Sequence, residues 1–395
     1  MARPRVTVRM YKKLLGDCFL LTIGEPAAPR EQRTHILVDC GVLQHVPDEA
    51  KLIQAVAEDI VQTTAGRLDL LVITHEHWDH ISGFTHAKSK LVDTMQIDNL
   101  WLAWTERRGD GQADTLRAKS EKAKIVVNDA AAFAARIGAN VTAGIENFNG
   151  PVSKDGKKRL LVTDIIPALI KQATHTEYLE PGEIRDTPGV QALRAHVLGP
   201  PRNSARLTKE RPSAGDAKET YLATNFELGL EARYAVSASL ADAMETDGPT
   251  PFAGYYGIPY QNVESPEAGA DETAAWLRDQ YLSKDQTWRN VDLAWLGAAG
   301  ALALKLDSDT NNTSLVLAFE LEQGGDVLLF AGDAQVGNWL SWHDQNYPST
   351  VAGSAKPPVA DGPKVSARDL LARTVLYKVG HHASHNATLE NKGWP

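Results

Sequence analysis

A short apolar run that ends in a histidine cluster constrains this chain more than any other feature. Residues 70–74, Leu-Leu-Val-Ile-Thr, are typical of a buried strand, and they are followed by His75, His77, Asp79 and His80 in the spacing His-x-His-x-Asp-His. Side chains two residues apart at a strand end point the same way, so His75 and His77 can share one cation. Asp79 and His80 then stand at the next bend, where they can reach a second cation. Imidazole nitrogens and carboxylate oxygens suit zinc and its neighbours, and a solvated loop of surface histidines, the alternative, rarely gathers four such side chains in this register.

The bulk composition is that of a soluble globular protein. The 395 residues can form one large domain or two ordinary ones, and 43% of them are hydrophobic against 23% charged. A net charge of -9 argues against long, tight wrapping of nucleic acid, although it leaves room for a local basic groove.

Cysteine usage and hydropathy predict a reducing, aqueous compartment. The chain has two cysteines, Cys18 and Cys40, which rules out a disulfide framework and, because both lie in predicted strands, predicts buried free thiols. No apolar run approaches the ~20 residues that span a bilayer, and the basic residues near the N-terminus are not followed by the apolar segment of a signal peptide. We therefore expect a cytoplasmic protein without a membrane partner.

The first hundred residues predict a sheet. Strands are expected at residues 6–11, 18–23, 35–40 and 70–73, and a helix is expected after Pro47, where an acidic first turn precedes helically spaced apolar residues. This order indicates a mixed sheet covered on one side by helices.

The rest of the chain alternates between irregular and regular patterns. We interpret residues 1–395 as a single domain in which residues 105–295 are an insertion-rich middle region. Within that region strands are expected at residues 160–165 and 192–198, a polar and basic loop at 202–216, and helices at 113–137 and 271–281. Regular structure returns with strands at 313–321, 327–330 and 374–379 and a short helix at 336–342, the first two strands being joined by a hairpin turn.

Three predicted strand ends deliver metal ligands: the His75 loop, Asp333, and the loop of residues 381–385. Sites in open sheets collect at the carboxyl ends of strands, which is where all three lie. An aspartate after glycine is by itself more often a turn former, and a double histidine by itself is moderate evidence for a metal site. Together with the first loop, however, they favour a metal centre.

The motifs resemble those of metallo-β-lactamase-fold hydrolases, and among these they are most similar to the ComEC-like competence branch. The resemblance covers roughly residues 5–100 and 295–390. Besides the His75 loop, it is carried by six further segments: Gly16-Asp17, Val38-Asp39-Cys40-Gly41, and residues 81–84, 311–317, 330–333 and 378–384.

The resemblance implies an α/β fold, a four-layer αβ/βα sandwich carrying a long helical and loop insertion, with two divalent metal ions at one edge. Zinc is favoured and manganese is the alternative. By analogy with the family, the first metal is bound by His75 and His77. The second is bound by Asp79, His80 and a histidine of the last loop, for which His382 is the first choice, and Asp333 bridges the two.

Two departures from the family pattern stand out. Many relatives supply a further histidine to the first metal from a central strand end, whereas the corresponding turn here, residues 198–201, carries none. His196 or His175 could substitute, although an ordinary strand or surface histidine is the better interpretation of each. The sequence also ends at Pro395, where relatives continue with another strand, so we expect a shortened or processed form.

The implied reaction is hydrolysis by a hydroxide that bridges two metals, with a phosphodiester as the leading substrate class, as in a nuclease or phosphodiesterase. Asp79 would be both a ligand and the group that orients the nucleophile. His381, Ser384 or His385 would donate a hydrogen bond to the developing oxyanion or leaving group, or instead support His382. Asp17 and Asp39 are interpreted either as supports of the ligands or as turn residues.

Other segments and other functions stay open. Arg202, Arg206, Lys209 and Arg211 could contact phosphates or form a solvated loop, and Tyr255, Tyr256 and Tyr260 could stack on bases or pack the insertion. Nucleic acid is therefore one candidate partner, and no partner protein is indicated.

The main alternative to phosphodiester hydrolysis is hydrolysis of a small ester, lactone or amide, which the acidic net charge favours. Another is a degraded metal-binding module that acts through partner contacts.

Overall fold

The computed structural model of the chain describes residues 5–25, 27–43, 46–136, 162–209, 263, 272–283, 305–306, 309–322, 324–347 and 365–380. The chain divides into two compact units. One comprises Met1–Arg117, Glu146–Ala214 and Asp307–Pro395, and the other comprises Ala118–Ile145 and Gly215–Leu306.

The first unit is built on two sheets. The first sheet has six strands in the order β1-β2-β3-β5-β7-β8. Its strands, and the two-residue strands β4 and β6 that pair beside it, are β1 (Val6–Met10), β2 (Cys18–Ile23), β3 (Thr34–Cys40), β4 (Arg67–Leu68), β5 (Leu70–Val72), β6 (Gln96–Ile97), β7 (Asn99–Ala103) and β8 (His175–Leu179). Strands β3, β5, β7 and β8 are mutually parallel, so their carboxyl ends share one edge.

The second sheet has five strands in the order β15-β12-β11-β10-β9. These strands, with the short pair β13 and β14, are β9 (Ile184–Thr187), β10 (Val190–Gly199), β11 (Val316–Leu321), β12 (Val327–Phe330), β13 (Asn346–Tyr347), β14 (Val365–Ser366) and β15 (Thr374–Lys378). The pair β12–β15 is parallel, which brings the ends of these two strands to the same edge.

Helices cover the outer face of each sheet. Those of the first unit are α1 (Glu49–Thr64), α2 (Trp78–His86), α4 (Val162–Gln172), α5 (Ser204–Leu207), α7 (Val336–Trp342) and α8 (Ala367–Ala372). Helix α3 is Gly111–Arg136, and the second unit contains α6 (Glu272–Leu277), which continues as a π-helical turn over Arg278–Leu282.

Strand alternation builds the layers of the first unit. Along β3, Ile36 and Val38 point to one face and pack between the two sheets, while Leu37 points to the other face and packs under α1, α2 and α4. Phe19 and Phe330 meet edge-to-face across the sheets with ring centroids 5.6 Å apart. On the far side α7 and α8 pack on the second sheet. The predicted αβ/βα sandwich is therefore confirmed.

The sequence prediction was wrong for part of the middle region. Residues 160–165 were expected to form a strand, but Val162–Gln172 is a helix, whose Ile165 and Leu169 are buried against the first sheet. Strands β8 and β9 were not predicted, because their polar residues leave no clean alternation.

Cys18 and Cys40 are buried free cysteines that face each other across β2 and β3, as expected. Within the described part of the chain, no helix combines the length and the apolar character needed to cross a bilayer.

A buried histidine far from the predicted site makes stability depend on pH. His35 of β3 is fully buried, and neither of its ring nitrogens has a hydrogen-bond partner. Burial and the nearby Arg30 and Arg33 lower the pKa of His35 to about 4, although Asp69 opposes them. Between about pH 6.5 and 4 the unfolded chain therefore binds a proton that the folded protein excludes, and stability falls as the pH drops.

Between pH 7 and pH 4.5 we accordingly expect the free energy of unfolding to fall by roughly 2 to 3 kcal/mol more in the wild-type protein than in His35→Leu. Urea unfolding of both proteins at the two pH values measures this difference. Equal losses in the two proteins would contradict it.

Candidate metal centre

The loop after β5 is held against two glycines. The carbonyl oxygen of Asp79 accepts a hydrogen bond of 2.9 Å from the amide of Asp17. A Cβ atom at Gly41 would lie 2.1 Å from the Asp79 backbone, and one at Gly16 would lie 2.4 Å from its carbonyl oxygen. Only glycine permits this approach, and it places the start of α2 beside the ends of β2 and β3.

Three buried histidines cluster at this edge. The Nε2 atom of His75 lies 3.0 Å from Nδ1 of His77, and the rings of His75 and His80 have centroids 4.1 Å apart. The side chain of Asp79 is 16% exposed and its carboxylate lies 3.9 Å from Nε2 of His80. The four residues of the sequence motif thus occupy one small region.

Asp333, from the loop after β12, reaches the same cluster. Its Oδ1 atom lies 3.3 Å from Nε2 of His80, and its side chain is 3% exposed. Ligand atoms of His75, His80 and Asp333 all lie within 4.8 Å of one another, an arrangement that could hold a metal ion. Residues more than 250 positions apart in the sequence therefore converge, as the strand-end argument predicts.

Electrostatics gives His75 and His80 different protonation states. Burial, together with His80 and His77, lowers the pKa of His75 well below its usual value, so its ring is neutral and keeps a lone pair for a cation. Burial also disfavours a charged His80, but the carboxylates of Asp333, Asp79 and Asp17 outweigh it and raise the pKa of His80 well above its usual value. A divalent cation would displace the proton from His80, because metal binding releases ligand protons.

Asp39 orients His80 directly and His75 through Thr74. Its Oδ1 accepts the Thr74 amide at 2.8 Å, and its Oδ2 accepts the Thr74 hydroxyl at 2.6 Å and Nδ1–H of His80 at 2.8 Å. Because the only hydroxyl proton of Thr74 goes to Asp39, its Oγ1 accepts from Nδ1–H of His75, 3.1 Å away. Both Nε2 atoms are therefore left to face the centre of the site.

Thr74→Val is expected to weaken zinc binding by roughly 10- to 100-fold, because the valine has the same shape but cannot connect Asp39 to His75. Thr74→Ser, which keeps the hydroxyl, is the matched control and should bind zinc nearly as tightly as the wild type. Competition with a chromophoric chelator measures both affinities. Equal zinc affinity for the valine and serine variants would contradict this role.

Asp17 and Lys378 complete the buried charge cluster. Asp17 Oδ2 lies 3.6 Å from Nδ1 of His80 and forms an ion pair with Nζ of Lys378. Asp17, Asp39 and His80 form a second group of close donor atoms. Asp17 and Asp39 were interpreted either as supports of the ligands or as turn residues, and these contacts favour the first interpretation.

Ser314 ties Asp333 to the histidine loop. Its hydroxyl accepts a hydrogen bond of 3.0 Å from the Asp333 amide and lies 3.3 Å from Nδ1 of His75. The next residue, Leu315, donates its amide to the carbonyl of Thr74 at 2.8 Å. The two sheets are thereby joined by hydrogen bonds at the site.

The two alternative histidines do not join the cluster. His196 lies inside β10, where its Nε2 is 2.9 Å from Oε2 of Glu320. Burial would raise the pKa of Glu320, but its hydrogen bond to His196, the Gly324 amide and Arg194 lower it to about 2. His175 is exposed at the beginning of β8, beside Asn99 at the beginning of β7, and thus lies at the sheet edge opposite to the site.

The remaining predicted site residues follow β15. His381, His382, Ser384 and His385 lie outside the described residues, so their assignments as ligand and proton donors stay predictions. Lys378, Thr74 and Ser314 are contacts of the cluster that the sequence interpretation did not single out as site residues. A lone lysine at the end of an apolar strand was the available signal for Lys378.

The donor set fits a borderline divalent metal. Neutral imidazole and carboxylate groups are ligands for zinc and manganese, and the groups that face the site are held by hydrogen bonds on their far sides. His75, His80 and Asp333 would hold one ion, with His77 and Asp79 adjoining.

Comparison with known protein families finds one match to part of the chain. The family model for the metallo-beta-lactamase superfamily matches residues 28–124, which include the His75 loop. None of the curated proteins and none of the solved structures that were compared shows a significant match. Residues 28–124 thus match the metallo-beta-lactamase superfamily, and the sheets of the first unit bring together histidine and aspartate groups that could bind a metal.

Proposed function

We propose that this protein is a metal-dependent hydrolase of phosphodiester bonds, with His75, His80 and Asp333 at the core of its metal centre. The observation that carries the proposal is the convergence of these three buried side chains, whose ligand atoms lie within 4.8 Å of one another. In the same proposal His77 and Asp79 extend the centre towards a second ion, and His382 completes it.

Divalent ions held there would activate a water molecule for attack and polarise the phosphoryl oxygen. The chain's own residues prepare the site for this. Asp39 and Thr74 set the tautomer of His75 and the direction of His80, and Ser314 fixes the backbone of Asp333. Asp79 is the most exposed carboxylate of the cluster, which suits a group that orients an incoming water.

The support for the phosphodiester class is the resemblance of the sequence motifs to those of the ComEC-like branch. In the structure these separate segments contact one another: Asp17 meets Asp79 and Lys378, Asp39 meets His80, and Ser314 meets Asp333. The motifs, although far apart in the sequence, thus form one connected cluster in the fold.

A second candidate, hydrolysis of a small ester, lactone or amide, is favoured by the ion pairs of the arginines that were predicted to contact phosphates. Arg202 is held by Asp110 and Glu180 and covers the ring of Trp104. Arg206 pairs with Asp344 at 3.2 Å. These two guanidinium groups are therefore engaged within the protein, which lessens their value as phosphate contacts. Arg211 and Tyr255, Tyr256 and Tyr260 lie outside the described residues.

Substrate assays separate the two candidates. The purified protein, loaded with zinc or manganese, is expected to hydrolyse a bis-aryl phosphodiester and to lose that activity with a chelator. Turnover of aryl esters or lactones alone would favour the second candidate. Absence of bound metal by elemental analysis, with unfolding unaffected by chelation, would instead support a metal-free module that acts through partner contacts.

A further inference from the structure

Lys378 is a buried lysine next to the predicted metal ligands. It is the last residue of β15, and its side chain is 7% exposed. Lysine is almost never buried unless it is paired. Its ammonium donates a hydrogen bond of 2.9 Å to the carbonyl of Gly332, lies 3.3 Å from Oδ1 of Asp333, and forms an ion pair with Asp17.

We propose that Lys378 is a positioning residue of the metal centre, with Asp17 as its charge partner. The ammonium holds the loop of Gly332 and Asp333 in place, so that the Asp333 carboxylate is already directed at the histidines when a cation arrives. Asp17 neutralises the ammonium, so that a fixed positive charge beside the site does not repel that cation.

The sheet register supports this role. Strand β15 runs parallel to β12, and Lys378 pairs with Phe330, three residues before Asp333. Lysine and aspartate thus leave adjacent strand ends in the same direction, and the lysine contacts the backbone and the side chain of the loop it faces. These contacts also anchor the point from which the chain continues to His381 and His382.

Asp17 is suited to the compensating role by its own position. It lies between the ammonium of Lys378 and the ring of His80, while its amide is bound to the carbonyl of Asp79. The backbone from which the carboxylate extends is therefore fixed against the start of α2. Lysine, aspartate and the predicted ligands form one electrostatic unit, in which each charge affects the affinity for a further cation.

A role in stability alone would have different consequences. A buried ion pair that only stabilises the fold would change the unfolding temperature when either partner is removed, and the zinc affinity of the folded variants would stay the same. The proposal requires the zinc affinity of the folded protein to fall when the lysine is removed, whereas removal of a nearby positive charge would by itself strengthen cation binding. The inference rests on the proposed metal centre and is independent of which bond the enzyme hydrolyses.

The test is a set of zinc dissociation constants for the wild type, Lys378→Met, Asp17→Asn and the double variant, measured by chelator competition. Lys378→Met is expected to weaken zinc binding by roughly 10- to 100-fold in the wild-type background. In the Asp17→Asn background the same change is expected to weaken binding as well, because the contacts of Lys378 with Gly332 and Asp333 are lost there too. Lys51→Met, which changes an exposed lysine of α1, is the matched control and should bind zinc as the wild type does.

Zinc affinity within twofold of the wild type for folded Lys378→Met would overturn the proposal. Should that variant fail to fold, the comparison of Asp17→Asn with the double variant decides, and a double variant that binds zinc as tightly as Asp17→Asn, or more tightly, overturns it. A wild-type protein that binds no zinc would refute the metal centre itself. Normal zinc binding by the wild type, with lysine variants that bind zinc no more weakly than their parents, would refute the inference alone.

Discussion

Replacing His77 by alanine is expected to lower metal-dependent hydrolysis by roughly a thousandfold or more while the protein stays folded. His77 lies 3.0 Å from the Nε2 atom of His75 and is buried at the edge of the cluster. Its loss would remove a predicted ligand of the first metal, and each metal contributes several kcal/mol to the stabilisation of developing charge. A factor of ten in rate corresponds to about 1.4 kcal/mol of activation free energy, so the loss of several kcal/mol gives a decrease of roughly a thousandfold.

The measurement is steady-state turnover of a bis-aryl phosphodiester by the zinc-loaded variant, with circular dichroism to show that the fold is kept. His175→Ala is the matched control, because it makes the same change at an exposed position on the opposite edge of the sheet. The control should keep wild-type activity. A His77→Ala enzyme with full activity would refute the assignment of this histidine.

Glu320→Leu is expected to destabilise the fold by about 3–5 kcal/mol, which is the usual cost of breaking a buried ion pair by removing one partner. The Glu320 side chain is 2% exposed and contacts Arg194 at 2.8 Å, Arg373 at 2.9 Å and His196 at 2.9 Å. Leucine has a similar size but would leave these groups without their shared carboxylate. Urea unfolding measures the loss in free energy.

Glu322→Leu tests the specificity of that effect, because Glu322 is an exposed residue just beyond the end of the same strand. It should change the free energy of unfolding by no more than about 0.5 kcal/mol. A loss below about 1 kcal/mol for Glu320→Leu would contradict the assigned network. Zinc affinity should be the same in both variants, because Glu320 and its partner His196 both lie outside the ligand cluster.

Local sequence patterns predicted the parts of the fold that surround the site. Strands β1, β2, β3 and β5 are alternating or continuous apolar runs bounded by turn residues, so their periodicity is readable from a single sequence. Residues 160–165 misled this reasoning, because a short apolar run that contains β-branched residues fits a strand as well as a buried helix. Packing of this segment against the first sheet stabilises the helix, and that packing cannot be read from the local sequence.

For the candidate site, the ligands could be predicted from the sequence but the groups that support them could not. The ligands follow strands, and the rule that strand ends share an edge was enough to expect Asp333 near His80. The groups behind the ligands were harder to foresee. Thr74 acts through one hydroxyl proton and Lys378 through an ion pair with a residue 361 positions away, and neither interaction leaves a periodic signal in the sequence.

The most direct test of the central claim is anomalous diffraction at the zinc edge from crystals of the zinc-loaded protein. The claim predicts an anomalous peak coordinated by His75, His80 and Asp333, with a further peak if the second ion is bound. A zinc ion located elsewhere in the molecule, with these three side chains free of metal, would contradict it.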